Sequence, residues 1–478
     1  MSPPMHAQCH EQSRPQDNDS GSTLSPITET PNPRGAHLPD FDRNLDEVAA
    51  PPPVYDPSEN SVRQEGYLEK QHSQGDRNDQ LPHLGAETES HQEAEKWPSK
   101  RLFSKVSRSS HIVCYLVVFS FIGTLLRVAI ECLTFYPGAP VNTSVLWANV
   151  GGSLVMGFLS EDQGLFYFEE IEARIPESER QDGARRAAHL MAHKKTIPLY
   201  IGLTTGFCGS LTSFSTFMRD VFLALANNLP VPVGSYADIS LFASAPVGTG
   251  APNGGFSFMA LVAILLTEIG LSLAGLILGA HIAIGLSAWT PSLSQHWLRK
   301  FLDPVVVVLA CFSWVAVICL VLLLPQYSNK SALWSAELWR GPVLFSLVFA
   351  PVGCLARFFI SLKLNGRVAS FPLGTFVVNV GGTMVLGMAY SLQHASISAS
   401  SLGGGNLIGC QVLQGIMDGF CGSLTTVSTW VLELSDLRRR HAYVYGGLSV
   451  AVALCALVVE IGSLKWTHNL VTPSCFAQ

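Results

Sequence analysis

Two asparagines, a phenylalanine pair and two runs of Gly, Ser and Thr are the residues here whose type and setting suggest chemistry. Asn149 and Asn379 lie inside apolar runs. A side-chain amide there can donate to an anion without carrying a full charge into lipid, or it can bond one helix to another. Phe214 and Phe217 stand on one helical face. Aromatic rings have a positive edge, so such a pair offers weak anion stabilisation or plain apolar filling. Ser215, Thr216, Ser428 and Thr429 supply hydroxyls to a narrow path or to their own helix backbone.

The segments 206–212 and 419–425 place glycines, Ser and Thr in the middle of long apolar runs. That composition favours a break in the helix, and carbonyls freed at membrane depth must be satisfied by protein, water or an ion. The carbonyls of Gly209, Thr212, Gly422 and Thr425 can cage one small cation. A glycine-rich packing seam without an ion has the same composition, and the residues alone leave both readings open. Arg127 and Arg357 end the first apolar run of each half, either to draw anions into a vestibule or to snorkel to headgroups. Glu268 and Glu460 are further ionisable residues within apolar runs, which makes them functional candidates. Glu268 has no evident counterpart in the second half.

The elements that must hold these residues are membrane helices. Charged residues make up 14% of the chain, against about 25% in soluble domains. Residues 1–109 are polar and Pro-rich and read as a disordered cytoplasmic tail. Beyond them, nine apolar runs near 111–134, 144–160, 197–226, 257–288, 303–325, 342–362, 372–390, 407–434 and 442–464 suit a bilayer. The third, fourth and eighth are long and Gly-rich, as expected of helices that tilt or break. No secretory signal precedes them, so the first run is expected to direct insertion. The 11 cysteines lack a C-x-x-C spacing, and most, among them Cys114, Cys208, Cys311, Cys319, Cys421 and Cys455, lie inside apolar runs and read as small core residues and not as metal or redox sites.

The chain repeats itself. Asn149-Val150-Gly151-Gly152 returns as Asn379-Val380-Gly381-Gly382, and Gly206-Phe207-Cys208-Gly209-Ser210-Leu211-Thr212 as Gly419-Phe420-Cys421-Gly422-Ser423-Leu424-Thr425. Each half carries four runs, 110–290 and 342–466, and the run within 291–341 joins them. One extra crossing inverts the second half, so the halves can pack about a pseudo-two-fold axis in the membrane plane. Lys and Arg in the loops place the N-terminus inside and the short tail 467–478 outside. The sequons at Asn142 and Asn329 fall on outer loops of this topology. The fold class is therefore all-α and polytopic, built from two inverted four-helix repeats, a linker helix and a disordered tail.

Together these motifs resemble the fluoride channel family known as Fluc or CrcB, in a two-domain eukaryotic form. The resemblance covers about 110–470. It implies a passive, fluoride-selective channel of the plasma membrane, exporting fluoride and conferring resistance to it, with the lipid bilayer and the fluoride ion as partners. A single chain then works as a pseudo-dimer. No nucleic acid, catalytic cofactor or enzymatic activity is expected, and no Walker-type loop is found. The resemblance assigns a central Na⁺ to the carbonyls of Gly209, Thr212, Gly422 and Thr425, the pore amides to Asn149 and Asn379, and the ring pair to Phe214 and Phe217. Tyr445 and Ser449 resemble the family's fourth-helix Tyr and Ser, with no clear match in the first half. Val427 and Trp430 replace the second ring pair, so one working pore and one degenerate pore are expected. Which Asn serves the working pore depends on how the halves interlock. The rival readings are a fluoride/proton antiporter or other small-ion transporter, for which Glu268 speaks, and a non-transporting scaffold or receptor.

Overall fold

The structure, a computed structural model, describes residues 98–136, 143–162, 164–166, 190–230, 254–323, 340–368, 370–395 and 407–473, together with 139, 141 and 475. All elements among them are helical. Helix α1 spans Pro98–Thr134 and α2 Leu146–Glu161. Helix α3 runs through Pro198–Ile201, a π-helical stretch Gly202–Cys208 and a last turn Gly209–Leu211. Helix α4 follows over Phe214–Leu225 and α5 over Gly254–Leu286. The linker helix α6 spans Asp303–Leu323. The second half has α7 (Ser346–Leu364), α8 (Leu373–His394) and α9 (Leu407–Gly415). Helix α9 continues through π-helical Ile416–Cys421 into Gly422–Leu424, and α10 (Ser428–Asp436) and α11 (Arg439–Leu457) complete the half.

Among the described residues, six continuous helices are long and apolar enough to cross a membrane: Ser110–Thr134, Gly254–Leu286, Gln295–Leu323, Arg340–Arg367, Leu373–His394 and Arg439–His468. The other three expected spans differ. The one near 144–160 is a helix of 16 residues, and those near 197–226 and 407–434 are each split at a threonine. The fourth span, also expected to be interruptible, is one unbroken helix of 33 residues. Helix α1 starts at Pro98, inside the segment read as tail; the rest of that tail, and Asn142 and Asn329, lie outside the described residues.

Packing follows from where the small residues sit. A Cβ on Gly157 would collide with the Leu276 carbonyl, and one on Gly279 with the Leu154 carbonyl, so α2 and α5 touch backbone to backbone. Gly123 on α1 meets Phe207 and Leu211, and Gly353 on α7 meets Phe420 and Leu424 in the same way. Small residues at helix crossings are how helices associate in lipid, where burial from water supplies no driving force. The linker α6 packs on α1 and α7, the first helices of the two halves, and Trp314 Nε1 donates to the Val348 carbonyl at 3.2 Å. Its other faces expose Val305, Phe312 and Leu322, as a lipid-facing helix does.

Two cysteine expectations change. Cys208, Cys354 and Cys421 are buried, but Cys311, Cys319 and Cys455 are exposed on outer helix faces. Cys410 and Cys475 form a disulfide that ties the chain end to α9. The α2–α5 contact yields a direct check. Gly279→Ala must push the helices apart, at about 1–3 kcal/mol for such overpacking, and should lower the melting temperature in detergent. Gly270→Ala, with nothing within 4 Å of its Cβ, should leave it unchanged.

Candidate functional site

The chain leaves helical geometry at Thr212 (φ −92°, ψ 148°) and at Thr425 (φ −94°, ψ 155°). Both residues are fully buried. Each threonine hydroxyl first donates back to its own helix: Thr212 Oγ1 to the Cys208 carbonyl (3.0 Å) and Thr425 Oγ1 to the Cys421 carbonyl (2.9 Å). Each oxygen then serves the opposite half. Thr212 Oγ1 accepts from the amides of Val427 and Ser428, each at 3.2 Å. Thr425 Oγ1 accepts from the Ser215 amide (3.0 Å) and lies 3.0 Å from Ser215 Oγ. The break in one half is thus satisfied by the break in the other.

The asparagines act on the same segments within their own halves. In an unbroken helix the carbonyls of Gly209, Thr212, Gly422 and Thr425 would accept from amides four residues on. Those amides go elsewhere here. Ser213 N–H donates to Asn149 Oδ1 (2.9 Å) and Thr426 N–H to Asn379 Oδ1 (2.9 Å). Thr216 N–H donates to Ser213 Oγ (3.3 Å) and Thr429 N–H to Thr426 Oγ1 (3.5 Å). All four carbonyls are released from their usual helical partners, in a buried and polar setting. Backbone oxygens so released fit a small hard cation such as Na⁺.

The arginines expected near a vestibule sit elsewhere. Arg127 is 0% exposed and Arg357 3%. Arg127 Nε donates to the Ser210 carbonyl (3.1 Å), and Nη2 crosses the halves to the Asp418 carbonyl. Arg357 Nη2 donates to the Thr205 carbonyl of the first half. A Cβ on Gly422 would strike the Arg127 guanidinium, and one on Gly209 that of Arg357. The π-helical stretches beside the breaks leave carbonyls to be filled, and each arginine fork fills one from the opposite half.

Phe214 and Phe217 are buried, with ring centroids 5.7 Å apart at 84°. Trp430 of the second half meets Phe214 edge-on at 5.2 Å. Their helix, α4, packs on α8, which carries Asn379, and on α11, which carries Tyr445 and Ser449. In exchange, α10 with Val427 and Trp430 packs on α2 and α5, which carry Asn149 and Glu268. The structure therefore brings the phenylalanine pair to the helices of Asn379, Tyr445 and Ser449. Ser215 faces Thr425, and Ser428 lies 3.2 Å from Thr212. Thr216 lies in the first turn of α4, where its hydroxyl accepts from Ser213 Oγ at 2.9 Å, and Thr429 in the first turn of α10.

Two buried acids escaped the sequence reading. Asp220 accepts from the amide and hydroxyl of Ser144 (3.1 and 3.0 Å) and from Arg219. Glu433 accepts from Thr375 Oγ1 (2.7 Å), Asn365 Nδ2 (3.3 Å) and Tyr445 (2.7 Å). Each acid pins the start of its half's second helix to the helix after the break. Their signal was available: both follow the motif threonine by the same step, Thr212 to Asp220 and Thr425 to Glu433. A cavity of about 240 Å³ opens between the halves beside Arg219 and Asp220, with Asp418, Glu131 and the chain end Leu470 to Pro473 in its wall. At the far end of the first half, Lys194 donates to the Asp162 carbonyl, and burial pulls its ammonium down to about 8 against the pull of Asp162 and Glu161.

Thr425→Val tests the crossed hydrogen bonds. It keeps the shape but strands the buried Ser215 amide, which costs about 1–3 kcal/mol. Thermal unfolding should fall for Thr425→Val, and Thr425→Ser should recover most of the loss.

Similarity to other proteins agrees with the repeat. The family described as CrcB-like protein, Camphor Resistance (CrcB), matches residues 114–289 and again 344–462. Fluoride export protein 1 of Neurospora crassa is 43% identical over 452 residues, covering 89% of this chain and 82% of that protein. Fluoride export protein 1 of Candida albicans is 31% identical, covering 78% of this chain and 85% of its own length. The fluoride-specific ion channel FluC of Acinetobacter baylyi is 31% identical over 121 residues, which is 24% of this chain and 88% of that shorter protein. No solved structure matches the chain. With two matched segments in one polypeptide and relatives similar along most of its length, the chain belongs to the CrcB-like family.

Proposed function

We propose that this protein is a passive fluoride channel that exports fluoride across the plasma membrane, with a single working path. The observation that carries the reading is the exchange between the halves. Each broken helix packs on the second and fourth helices of the other half, yet only the first half brings a phenylalanine pair to that contact. The working path then runs past Phe214 and Phe217, with Asn379, Tyr445, Ser449, Ser215 and Thr216 supplying donors. The path beside Val427, Ser428, Thr429, Trp430 and Asn149 is the degenerate one.

Fluoride holds its water tightly, so a selective path must offer several donors together as water is stripped. Amide, hydroxyl and ring-edge donors do this without a fixed positive charge that would trap the ion. An inside-negative potential, about 2.3 kcal/mol per charge per 100 mV, drives the anion outward without ATP. Na⁺ at the carbonyls of Gly209, Thr212, Gly422 and Thr425 would supply positive charge where the two breaks meet. The reciprocal contacts support an inverted pair of repeats with nine crossings, the three shorter or broken helices included. The Cys410–Cys475 disulfide supports an outward C-terminus, because such bonds persist on the oxidising side.

A fluoride/proton antiporter is the second reading, favoured by the carboxyl of Glu268 at 1% exposure. The path itself is tested by substitution. Phe214→Ile or Phe217→Ile should reduce fluoride efflux from liposomes to the bare-lipid rate while the protein still inserts, and Val427→Ile should retain most of the efflux. Equal loss at Phe214 and Val427 would contradict a single path. Orientation is tested on intact cells: Cys410→Ser should expose the Cys475 thiol to a membrane-impermeant maleimide added outside. Labelling only after permeabilisation would place the C-terminus inside.

A further inference from the structure

The degenerate path carries a carboxyl group at the position where the working path carries a tyrosine. The identical triplets Gly270-Leu271-Ser272 and Gly447-Leu448-Ser449 align the fourth helices of the two halves, and the alignment sets Glu268 opposite Tyr445. Burial agrees. Glu268, Ser272 and Leu276 form the inward stripe of α5, as Tyr445, Ser449 and Ala453 do on α11. Glu268 thus has a counterpart, and the Tyr and Ser of the second half have theirs in Glu268 and Ser272. Sequence reading missed the match because Glu and Tyr share no chemistry that a motif search would align.

The two positions are used differently. Tyr445 donates to Glu433 (2.7 Å), Ser449 to the Tyr445 carbonyl (2.7 Å) and Thr383 to the Asn379 carbonyl (2.7 Å). In the first half, Glu268 Oε2 accepts from Asn149 Nδ2 at 3.0 Å. Its other oxygen, Oε1, has no hydrogen-bond partner among the described residues, and neither do the hydroxyls of Ser153 and Ser272. All three side chains are at most 1% exposed. Ser153 follows Asn149 by one turn, and Ser272 follows Glu268 by one turn on the packed neighbour α5. These polar groups belong to α2 and α5, which both pack on α10, the helix that Val427 precedes and that carries Trp430.

We propose that the Glu268 carboxyl group is a tethered anion that takes up an N–H of Asn149 Nδ2 and closes the degenerate path to fluoride. The proposal rests on the fluoride-path reading above and adds the residue that makes the two paths unequal. A carboxyl oxygen held on the chain competes at high effective concentration with any free anion for the same amide. In its ionised form it also repels an incoming anion across a low-dielectric gap. Tyrosine at the matching site brings no negative charge of its own into the path; its hydroxyl donates to Glu433.

The test rebuilds the closed path. In a Phe214→Ile background, efflux from liposomes is measured for Val427→Phe with Trp430→Phe, with and without Glu268→Tyr. Efflux should return only when Glu268→Tyr is present, by at least tenfold over the Phe214→Ile rate. Its return with Glu268 in place would overturn the proposal, and so would its absence from the complete set when that protein remains monodisperse. Should the rebuilt protein not fold, the reverse transplant decides. Tyr445→Glu in the otherwise native chain should abolish efflux, and Tyr445→Gln, of similar size without an anionic form, should keep a measurable fraction. Equal efflux from these two variants would overturn the proposal. The unsubstituted protein is measured alongside: if it releases no fluoride, the fluoride-path reading fails, and not this inference alone.

Discussion

Backbone that leaves a helix at membrane depth must find partners in protein, because lipid offers none. In this chain each break takes one partner from the asparagine of its own half and others from the opposite half. Thr212 receives amides of the second half and Thr425 an amide of the first. Arg127 and Arg357 extend the exchange, each reaching a carbonyl next to the other half's break. Neither half can satisfy its own interruption. Association of the halves is therefore a condition of forming the site, and the linker α6 keeps both on one chain whatever the protein's concentration. The same crossing decides which residues share a path, since the helix after each break lies on the other half's second and fourth helices.

Two copies on one chain need not stay alike. The parts that hold the breaks have stayed alike: the threonines, the asparagines that take up the following amides, the arginines and the acids Asp220 and Glu433. The parts along the paths have diverged. Phe214 and Phe217 face Val427 and Trp430 across the repeat, and Tyr445 faces Glu268. Structural demand falls on both halves equally, because each break depends on its mate. On the proposed reading, demand from transport falls on one path alone, and the other is free to lose its aromatic edges and to gain a carboxyl group. Trp430 then serves as apolar filling against Phe214, with its indole nitrogen buried and without a hydrogen bond among the described residues.

Much of this was legible in sequence because the repeat is strong. Glycine, serine and threonine in the middle of apolar runs implied interruptions, and the interruptions lie at the motif threonines. The roles of several residues were less legible, for physical reasons. Arg127 and Arg357 read as helix-end charges because sequence shows position along one helix and not the neighbour that crosses it; carbonyls of the partner half bring them inside. Asn149 and Asn379 read as anion donors, yet their carbonyl oxygens first hold the break open by accepting backbone amides. The Cys410–Cys475 bond joins positions 65 apart, and no local spacing announces it. Glu268 resisted alignment because tyrosine and glutamate share burial and register, not chemistry.

The central claim is that two interlocked breaks leave a narrow, passive path for fluoride. Its most direct test uses the unsubstituted protein in liposomes loaded with both fluoride and chloride, with potassium and valinomycin setting the voltage. The account predicts that fluoride leaves at a rate that follows the imposed voltage while chloride stays behind. Release no faster than from bare lipid, or fluoride movement driven by a pH gradient with the voltage held at zero, would contradict it.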